Sequence, residues 1–381
     1  MEENVQALLF EILRQVLCLV AIPTIGELQQ EEFDALMALA KKHGLLPVIA
    51  YGLLQNGKLT SSQEDACRKS VYRAMAYQQR MEQDLKRTCN LFEREKIAYM
   101  PLKGAVIRSF YPEPWLRTSG DIDILVQDVE RAVALLEEAG YHKKETDAHE
   151  VTFISPGGIV LELHFLLIET DVRVNSVLEK VWDDAISQTG SCRYAMEPEM
   201  FYYYHIAHMA KHMVQGGCGI RFFADLWLLN KGFVMKAERK RQLLREGGLE
   251  KFAEKAERLS RVWFDQEQPD ALVLELERFV LSGGTFGSKS NMVKLHRTKS
   301  RTALGFSFRR IFPEYKQMSI HSLMLRKYPV LLPIFWVRRW VQLIMHPERI
   351  RGAMRELELN KTLDVDAVSS TERLFKKLGL S

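Results

Sequence analysis

Cysteine is scarce in this chain, which has five cysteines among 381 residues. Their number is odd and no two of them form a C-x-x-C pair, which argues against a disulfide framework and against a zinc ribbon. A reducing compartment, the cytoplasm, fits this pattern best. The five cysteines are Cys18, Cys67, Cys89, Cys192 and Cys218.

A strong excess of one charge is also missing. The formal net charge is +4, from 53 Lys and Arg against 49 Asp and Glu. Such a value does not by itself indicate a nucleic-acid-binding protein. Hydrophobic residues make up 47% and charged residues 27% of the chain, which is typical of a globular protein and excludes a disordered or fibrous one.

Long apolar runs are absent as well. The first residues are acidic where a secretory signal is basic, and Glu11, Arg14 and Gln15 interrupt the apolar positions that follow. The most membrane-like stretch, residues 330–337, is shorter than the ~20 residues needed to span a bilayer and is followed by two arginines. We therefore expect no export signal, no transmembrane segment and a cytoplasmic location.

The apolar pattern divides the chain into three regions. Helical spacing dominates residues 1–94 and returns in residues 171–381, whereas residues 95–170 alternate between strand and helix signals. The sequence thus predicts an α+β protein in which a small mixed-sheet core is flanked by helical regions. Within the core we expect strands over 97–102, 122–126, 151–154 and 159–165, and helices over 105–111 and 128–139.

Three acidic residues have the character of a metal site. Asp121 and Asp123 lie two residues apart at the start of an apolar strand, so both side chains point to one face. Glu162 alternates with apolar residues in a second strand, and strand pairing would bring it beside them. Three such carboxylates suit two Mg²⁺ ions and phosphoryl or nucleotidyl transfer. The alternatives are a strand cap for Asp121 and an exposed, lysine-paired residue for Glu162.

These motifs resemble the polymerase-β-type nucleotidyltransferase superfamily, and more narrowly its bacterial branch of uncharacterised nucleotidyltransferases. That branch has a Leu-Lys-Gly turn, an acid-x-acid strand and a third acid followed two residues later by His. The resemblance covers most of the chain, although the N-terminal helices are similar only in character. The stretches that carry it are 100–104, 116–126, 161–164, 208–229, 309–315 and 329–333.

The resemblance implies roles for individual residues. Asp121 and Asp123 would hold the metal ions, and Glu162 would complete the site and help to activate an acceptor hydroxyl. Gly104 would let backbone N–H groups meet the nucleotide phosphates. Lys103 stands where the wider superfamily usually has glycine, and it could contact the triphosphate or be a solvated strand end.

Other residues are candidates for nucleotide or substrate contacts. Arg117 is a better candidate for a phosphate clamp than Lys103, because its guanidinium suits two-point contact. Ser119 is expected to join the nucleotide site. His164 could orient a ligand or protonate a leaving group, and the favoured alternative is a role behind the residues that contact the ligand. Arg221 and Asp225 are spaced as an ion pair on one helix, either structural or in contact with substrate.

Three histidines at helical spacing lie on one predicted helix face: His205, His208 and His212. A transition-metal site is one interpretation. The favoured one is that His208 or His212 lines the substrate cleft, because no carboxylate or cysteine joins the three at ligand spacing in the sequence.

Positive charge is concentrated in segment 289–355, which has fifteen Lys and Arg against two Glu, with aromatic residues between them. It could hold a polyphosphate, nucleic acid or an acidic membrane surface. The alternative, favoured over nucleic acid, is a solvated basic face or one that closes over the triphosphate.

Together these features predict a magnesium-dependent nucleotidyltransferase that moves a nucleoside monophosphate from an NTP, with ATP as the expected donor, to a hydroxyl or phosphate acceptor and releases pyrophosphate. The acceptor could be a small molecule, a saccharide, a peptide or a protein. The alternative is a non-catalytic or regulatory nucleotidyltransferase-like protein of a toxin–antitoxin or phage-defence pair that binds RNA or a protein partner.

Overall fold

A small mixed sheet lies among helices, so the α+β prediction is confirmed. The computed structural model describes residues 2–167, 169, 172–298, 308, 311–313, 315, 318, 323–345 and 347–380. Part of the basic segment, including Arg309, Arg310 and Glu314 of the motif at 309–315, therefore lies outside the described residues. The division into regions 1–94, 95–170 and 171–381 stays a prediction.

Four helices precede the sheet. A capping box begins the longest of them: the Thr60 side chain accepts from the Gln63 backbone, and the Gln63 side chain accepts from the Thr60 backbone. These helices are α1 (Glu2–Leu17), α2 (Gln30–Lys42), α3 (Leu46–Asn56) and α4 (Ser61–Arg94).

The sheet has the strand order β1-β2-β5-β4-β3. Strands β2 and β5 are parallel, and the other neighbouring pairs are antiparallel. The strands are β1 (Tyr99–Pro101), β2 (Asp121–Val126), β3 (His142–Thr146), β4 (Glu150–Ile154) and β5 (Val160–His164).

Two helices connect the strands. Helix α5 (Lys103–Ile107) follows β1 and leads into short 3-10 turns, and helix α6 (Val129–Glu138) joins β2 to β3. The Asp128 side chain caps α6 by accepting from the Arg131 backbone, and Gly140 closes it at φ 84°. Both ends of α6 were predicted from the sequence.

Strand β3 is missing from the sequence prediction, which went directly from α6 to β4. All five of its residues are exposed and four of them are charged or histidine. An edge strand of this kind has no buried face and hence no alternation of apolar residues. Its place in the sheet depends on pairing with β4, which the local sequence does not encode.

Helices return after the sheet. Helix α7 (Val172–Leu178) is followed by a two-stranded ribbon, β6 (Ile186–Ser187) and β7 (Tyr194–Ala195). The next helices are α8 (Pro198–Val214), α9 (Ile220–Gly232), α10 (Ala237–Glu246), α11 (Glu250–Phe264), α12 (Ala271–Ser282) and α13 (Lys289–Thr298). The last described helices are α14 (Leu323–Lys327), α15 (Leu332–Met345), α16 (Pro347–Thr362) and α17 (Val365–Leu378).

Two apolar clusters hold the structure together. The larger one includes helices before and after the sheet, and the smaller one lies between the sheet, α4 and α6. All five cysteines are free thiols. Among the described helices, none combines the length and the apolar character that crossing a membrane requires.

Burial in the smaller cluster should dominate the stability of the sheet. We expect Leu161→Ala, in the central strand β5, to lower the free energy of unfolding by about 2–5 kcal/mol because it leaves a cavity. Leu161 is buried, whereas Leu166 is nearly half exposed and provides the matched control. Urea unfolding followed by circular dichroism measures both; equal losses for Leu161→Ala and Leu166→Ala would contradict this view of the core.

Candidate active site

A pocket of about 500 Å³ lies between one face of the sheet and helices α8 and α9. The parallel pairing of β2 and β5 sets Asp123 directly opposite Glu162. Asp121 precedes Asp123 by two residues on the same strand and pairs with Val160. All three carboxylates line the pocket. Its wall also contains Lys103, Gly104, Arg117, Ser119, His164, His205, His208, His212 and Arg221.

Asp121, Asp123 and Glu162 form the acidic wall of the pocket. Asp123 is at its centre and is almost fully buried. Its Oδ1 accepts a hydrogen bond from Lys103 Nζ at 2.6 Å and lies 3.0 Å from His164 Nε2. Glu162 Oε2 is 4.0 Å from Lys103 Nζ and 3.7 Å from His164 Nε2. The His164 Nδ1 atom in turn lies 3.1 Å from Glu150 Oε2, so His164 bridges carboxylates on three strands.

The carboxylates differ in their protonation because their partners differ. Burial and the charge of Asp123 raise the pKa of Asp121, and they raise the pKa of Glu162 to about 8. Burial alone would raise the pKa of Asp123, but the Lys103 ammonium and the His164 imidazole outweigh it and hold that pKa well below its usual range. The acidic wall therefore has less positive charge beside it than its carboxylates require.

A metal ion fits this donor set. One ligand atom from each of Asp123, Glu162 and His164 lies within 4.8 Å of the others. Asp121 lies outside this group but in the same pocket. Carboxylates such as Asp121 and Glu162, whose pKa values are raised by burial and by the charge of Asp123, are groups that a divalent cation would stabilise in their ionised form.

Lys103 is mostly buried and paired with Asp123, so the alternative of a solvated strand end is wrong. It begins helix α5 with a backbone φ of 39°, in the left-handed region that residues other than glycine rarely adopt. Burial alone would lower the pKa of Lys103, but the charge of Asp123 outweighs it and raises that pKa well above its ordinary value. The ammonium therefore stays charged at the edge of the acidic wall.

Gly104 faces a group of hydrogen-bond donors. A Cβ at this position would lie 2.7 Å from Arg117 Nη1 and 3.1 Å from Ser119 Oγ. Arg108 donates to the Gly104 carbonyl at 2.6 Å and to Ser119 Oγ at 2.8 Å. Because Gly104 has no side chain, the Arg117 guanidinium and the Ser119 hydroxyl can lie close to its backbone. Sequence reasoning missed Arg108, although its spacing of four from Gly104 is the signal of a shared helix face.

Arg117 is held by Asp225 rather than left free in the pocket. Its Nε and Nη2 donate to the two carboxylate oxygens of Asp225 at 3.0 and 2.9 Å, and Tyr111 donates to the same carboxylate at 2.8 Å. Burial alone would raise the pKa of Asp225, but Arg117 and Arg221 outweigh it and lower that pKa. The Nη1 atom of Arg117 is buried without a hydrogen-bond partner among the described residues.

The predicted Arg221–Asp225 ion pair is therefore wrong. Arg221 Nη1 donates instead to the Thr118 carbonyl at 2.8 Å, and its Nε is buried without a hydrogen-bond partner in the described part of the chain. Asp225 takes its partner from 108 residues away, because the two-point contact with Arg117 satisfies both carboxylate oxygens. The helical spacing alone did not contain this information.

The histidines of α8 divide into two roles. His205 Nε2 lies 3.0 Å from the Phe222 carbonyl oxygen, and burial lowers its pKa to about 4. His208 Nδ1 lies 3.2 Å from Glu169 Oε1, and its Nε2 lies 3.1 Å from His212 Nε2. The three do not converge as metal ligands in the described structure. The Glu169 carboxylate, which sequence reasoning missed, lies in a connection without periodicity and gave no signal.

Comparison with protein families decides the broader class. A family model described as uncharacterised nucleotidyltransferase matches residues 29–265, well over half of the chain. The chain belongs to this nucleotidyltransferase family. The match contains the whole sheet and all the carboxylates of the pocket, and it ends before α12. Comparisons with curated proteins and with solved structures found no match.

Breaking the buried Arg117–Asp225 pair should strongly destabilise the protein. Asp225→Asn leaves a buried guanidinium without its counter-charge, so we expect the free energy of unfolding to fall by about 3–5 kcal/mol. Asp184→Asn is the matched control, because Asp184 pairs with Arg239 at the surface and should cost less than about 1 kcal/mol. Urea unfolding compares the two; a loss for Asp225→Asn as small as that of the control would contradict the pairing.

Proposed function

We propose that this chain is a magnesium-dependent nucleotidyltransferase that moves a nucleoside monophosphate from an NTP to an acceptor and releases pyrophosphate. The observation that carries the proposal is that one pocket contains both an acidic and a cationic wall. Asp121, Asp123 and Glu162 form an acidic wall, and the buried, unpartnered Nη1 of Arg117 beside Gly104 belongs to a cationic one. Family membership supports nucleotidyl transfer in general.

In this proposal Asp121, Asp123 and Glu162 hold two Mg²⁺ ions. Bound there, Mg²⁺ would supply charge stabilisation for the attacking and leaving oxygens of an in-line displacement. Lys103 keeps the charge of Asp123 balanced, since its Nζ lies 2.6 Å from Oδ1. His164 Nε2 lies 3.0 Å from the same carboxylate oxygen and would help to orient it.

The cationic wall would receive the triphosphate. Arg117 Nη1 and the Ser119 hydroxyl lie beside Gly104, and phosphate oxygens would satisfy the donor that Arg117 leaves unpaired. Arg108 holds Gly104 and Ser119 in position. Arg221, whose Nε also has no hydrogen-bond partner in the described part of the chain, extends this wall.

The acceptor would supply the nucleophile. Its hydroxyl gives a proton to Glu162, its oxygen bonds to the α-phosphorus, and the bond from that phosphorus to the bridging oxygen breaks, so pyrophosphate leaves with the bonding electrons. His208 and His212, which line the pocket together with Glu169, would contact the substrate. The acceptor class stays open between a small molecule, a saccharide, a peptide and a protein.

Loss of the carboxylates tests the metal site. We expect Asp121→Asn/Asp123→Asn to lower the rate of Mg²⁺-dependent pyrophosphate release at least ~1000-fold, because the transition-state charge is no longer stabilised. Each NTP is supplied in turn with a panel of acceptors, and label transfer is followed. The matched control is Glu145→Gln/Asp183→Asn, which makes the same charge change at exposed positions.

Two outcomes would contradict this assignment. One is full activity in Asp121→Asn/Asp123→Asn. The other is the absence of transfer from every NTP together with RNA binding that the double substitution leaves intact and that weakens steeply with salt, which would favour the regulatory alternative.

The cationic wall makes a separate prediction. Gly104→Ala places a methyl group against Arg117 and Ser119, so we expect the KM for the NTP to rise about tenfold or more, the equivalent of ~1.4 kcal/mol. Gly120→Ala is the control, because a Cβ there meets nothing within 4 Å. Titration with Mn²⁺ should give equal metal affinity in both variants; an unchanged KM in Gly104→Ala would overturn the phosphate assignment.

A further inference from the structure

An exposed apolar stripe runs along α15 and the 3-10 turn before it. Its residues are spaced by four, three, four and four, so they lie on one side of the helix. Their exposed fractions range from 50% to 83%. The residues of this α15 stripe are Val330, Ile334, Val337, Val341 and Met345.

Contacts on another side of α15 fix which side faces outward. Trp336 Nε1 donates to the Pro313 carbonyl at 2.9 Å, and Trp340 Nε1 donates to the Ile311 carbonyl at 3.0 Å. The ring of Phe312 lies 5.2 Å from both indole rings. The aromatic side of the helix is therefore packed against its own chain, and the α15 stripe remains at the surface.

The charge of α15 and of the segment before it is of one sign. Between residues 315 and 347 the sequence has five Lys and Arg and no Asp or Glu. Lys327 and Arg338 are exposed beside the stripe, whereas the following helix α16 has charges of both signs. A surface that combines an apolar stripe with positive charge complements an anionic lipid surface, in which acyl chains lie beneath phosphate groups.

The dimensions indicate how α15 would lie. Its 14 residues extend about 21 Å at ~1.5 Å per residue, less than the roughly 30 Å of a hydrocarbon core. Arg338 and Arg339 stand in its middle, which also disfavours a spanning orientation. A second copy of this chain would bring positive charges face to face. Nucleic acid would satisfy the cations but leave the aliphatic stripe in contact with phosphates and water.

We propose that the α15 stripe docks this protein on an anionic membrane surface, with the helix in the plane of the interface. The aliphatic side chains enter the boundary between headgroups and acyl chains. Lys327 and Arg338 meet the lipid phosphates.

Co-sedimentation of the full chain with lipid vesicles tests the proposal. We expect binding to phosphatidylcholine vesicles that contain phosphatidylglycerol, little binding to phosphatidylcholine alone, and weaker binding at high salt. Val337→Glu/Val341→Glu should lower the partition coefficient at least about tenfold, because it places carboxylates against acyl chains and lipid phosphates. Val337→Ser/Val341→Ser should lower it as well, without a change in net charge.

The matched control is Val172→Glu/Val234→Glu, which makes the same substitutions at exposed valines outside the stripe and should bind vesicles like the unaltered chain. Thermal unfolding by circular dichroism checks that all variants are folded. Equal vesicle binding by the stripe and control variants would overturn the proposal. A failure of the unaltered chain to bind anionic vesicles would also overturn the proposal. This holds even if the stripe variants lose binding to an RNA oligomer, or lose a dimer in analytical ultracentrifugation.

Discussion

Repulsion between carboxylates is the constraint on which the rest of the pocket depends. The parallel pairing of β2 and β5 sets Asp123 opposite Glu162 in a largely buried sheet, where water screens their charges poorly. Lys103 and His164 lie beside Asp123, whereas burial and the charge of Asp123 keep the pKa of Glu162 raised. The sheet is thus built with a deficit of positive charge, which is the property that a cation-binding site needs.

A second charge arrangement ties the sheet region to the helices that follow it. Arg117 precedes β2, and Asp225 lies in α9, so their buried ion pair joins segments that are far apart in the chain. Tyr111 completes the hydrogen bonding of the carboxylate. Because two of its nitrogens are fixed by Asp225, the third nitrogen of Arg117 is presented at a set place beside Gly104. In the proposed function, structural pairing and phosphate recognition would use the same side chain.

The C-terminal helices differ from the rest in how they use apolar residues. The family match ends at residue 265, before α12. Beyond it, α17 returns to the larger apolar cluster through Leu374 and Phe375, whereas α15 leaves an aliphatic stripe exposed. The concentration of positive charge that the near-neutral total conceals thus includes α15, which has no buried side chain among those that the structure describes.

The sequence by itself determined the elements whose signal is local. The alternation in β2 and β5, the Asp128 cap of α6 and the Gly140 closure are encoded in neighbouring residues, and they suffice to predict an α+β core with Asp121, Asp123 and Glu162 on strands. Only the tertiary structure decided the partners. Edge strand β3 has no buried face and therefore no apolar alternation in its sequence, and Asp225 pairs with the distant Arg117 rather than with Arg221 of its own helix. Periodicity specifies which face is buried, whereas packing specifies what lies opposite.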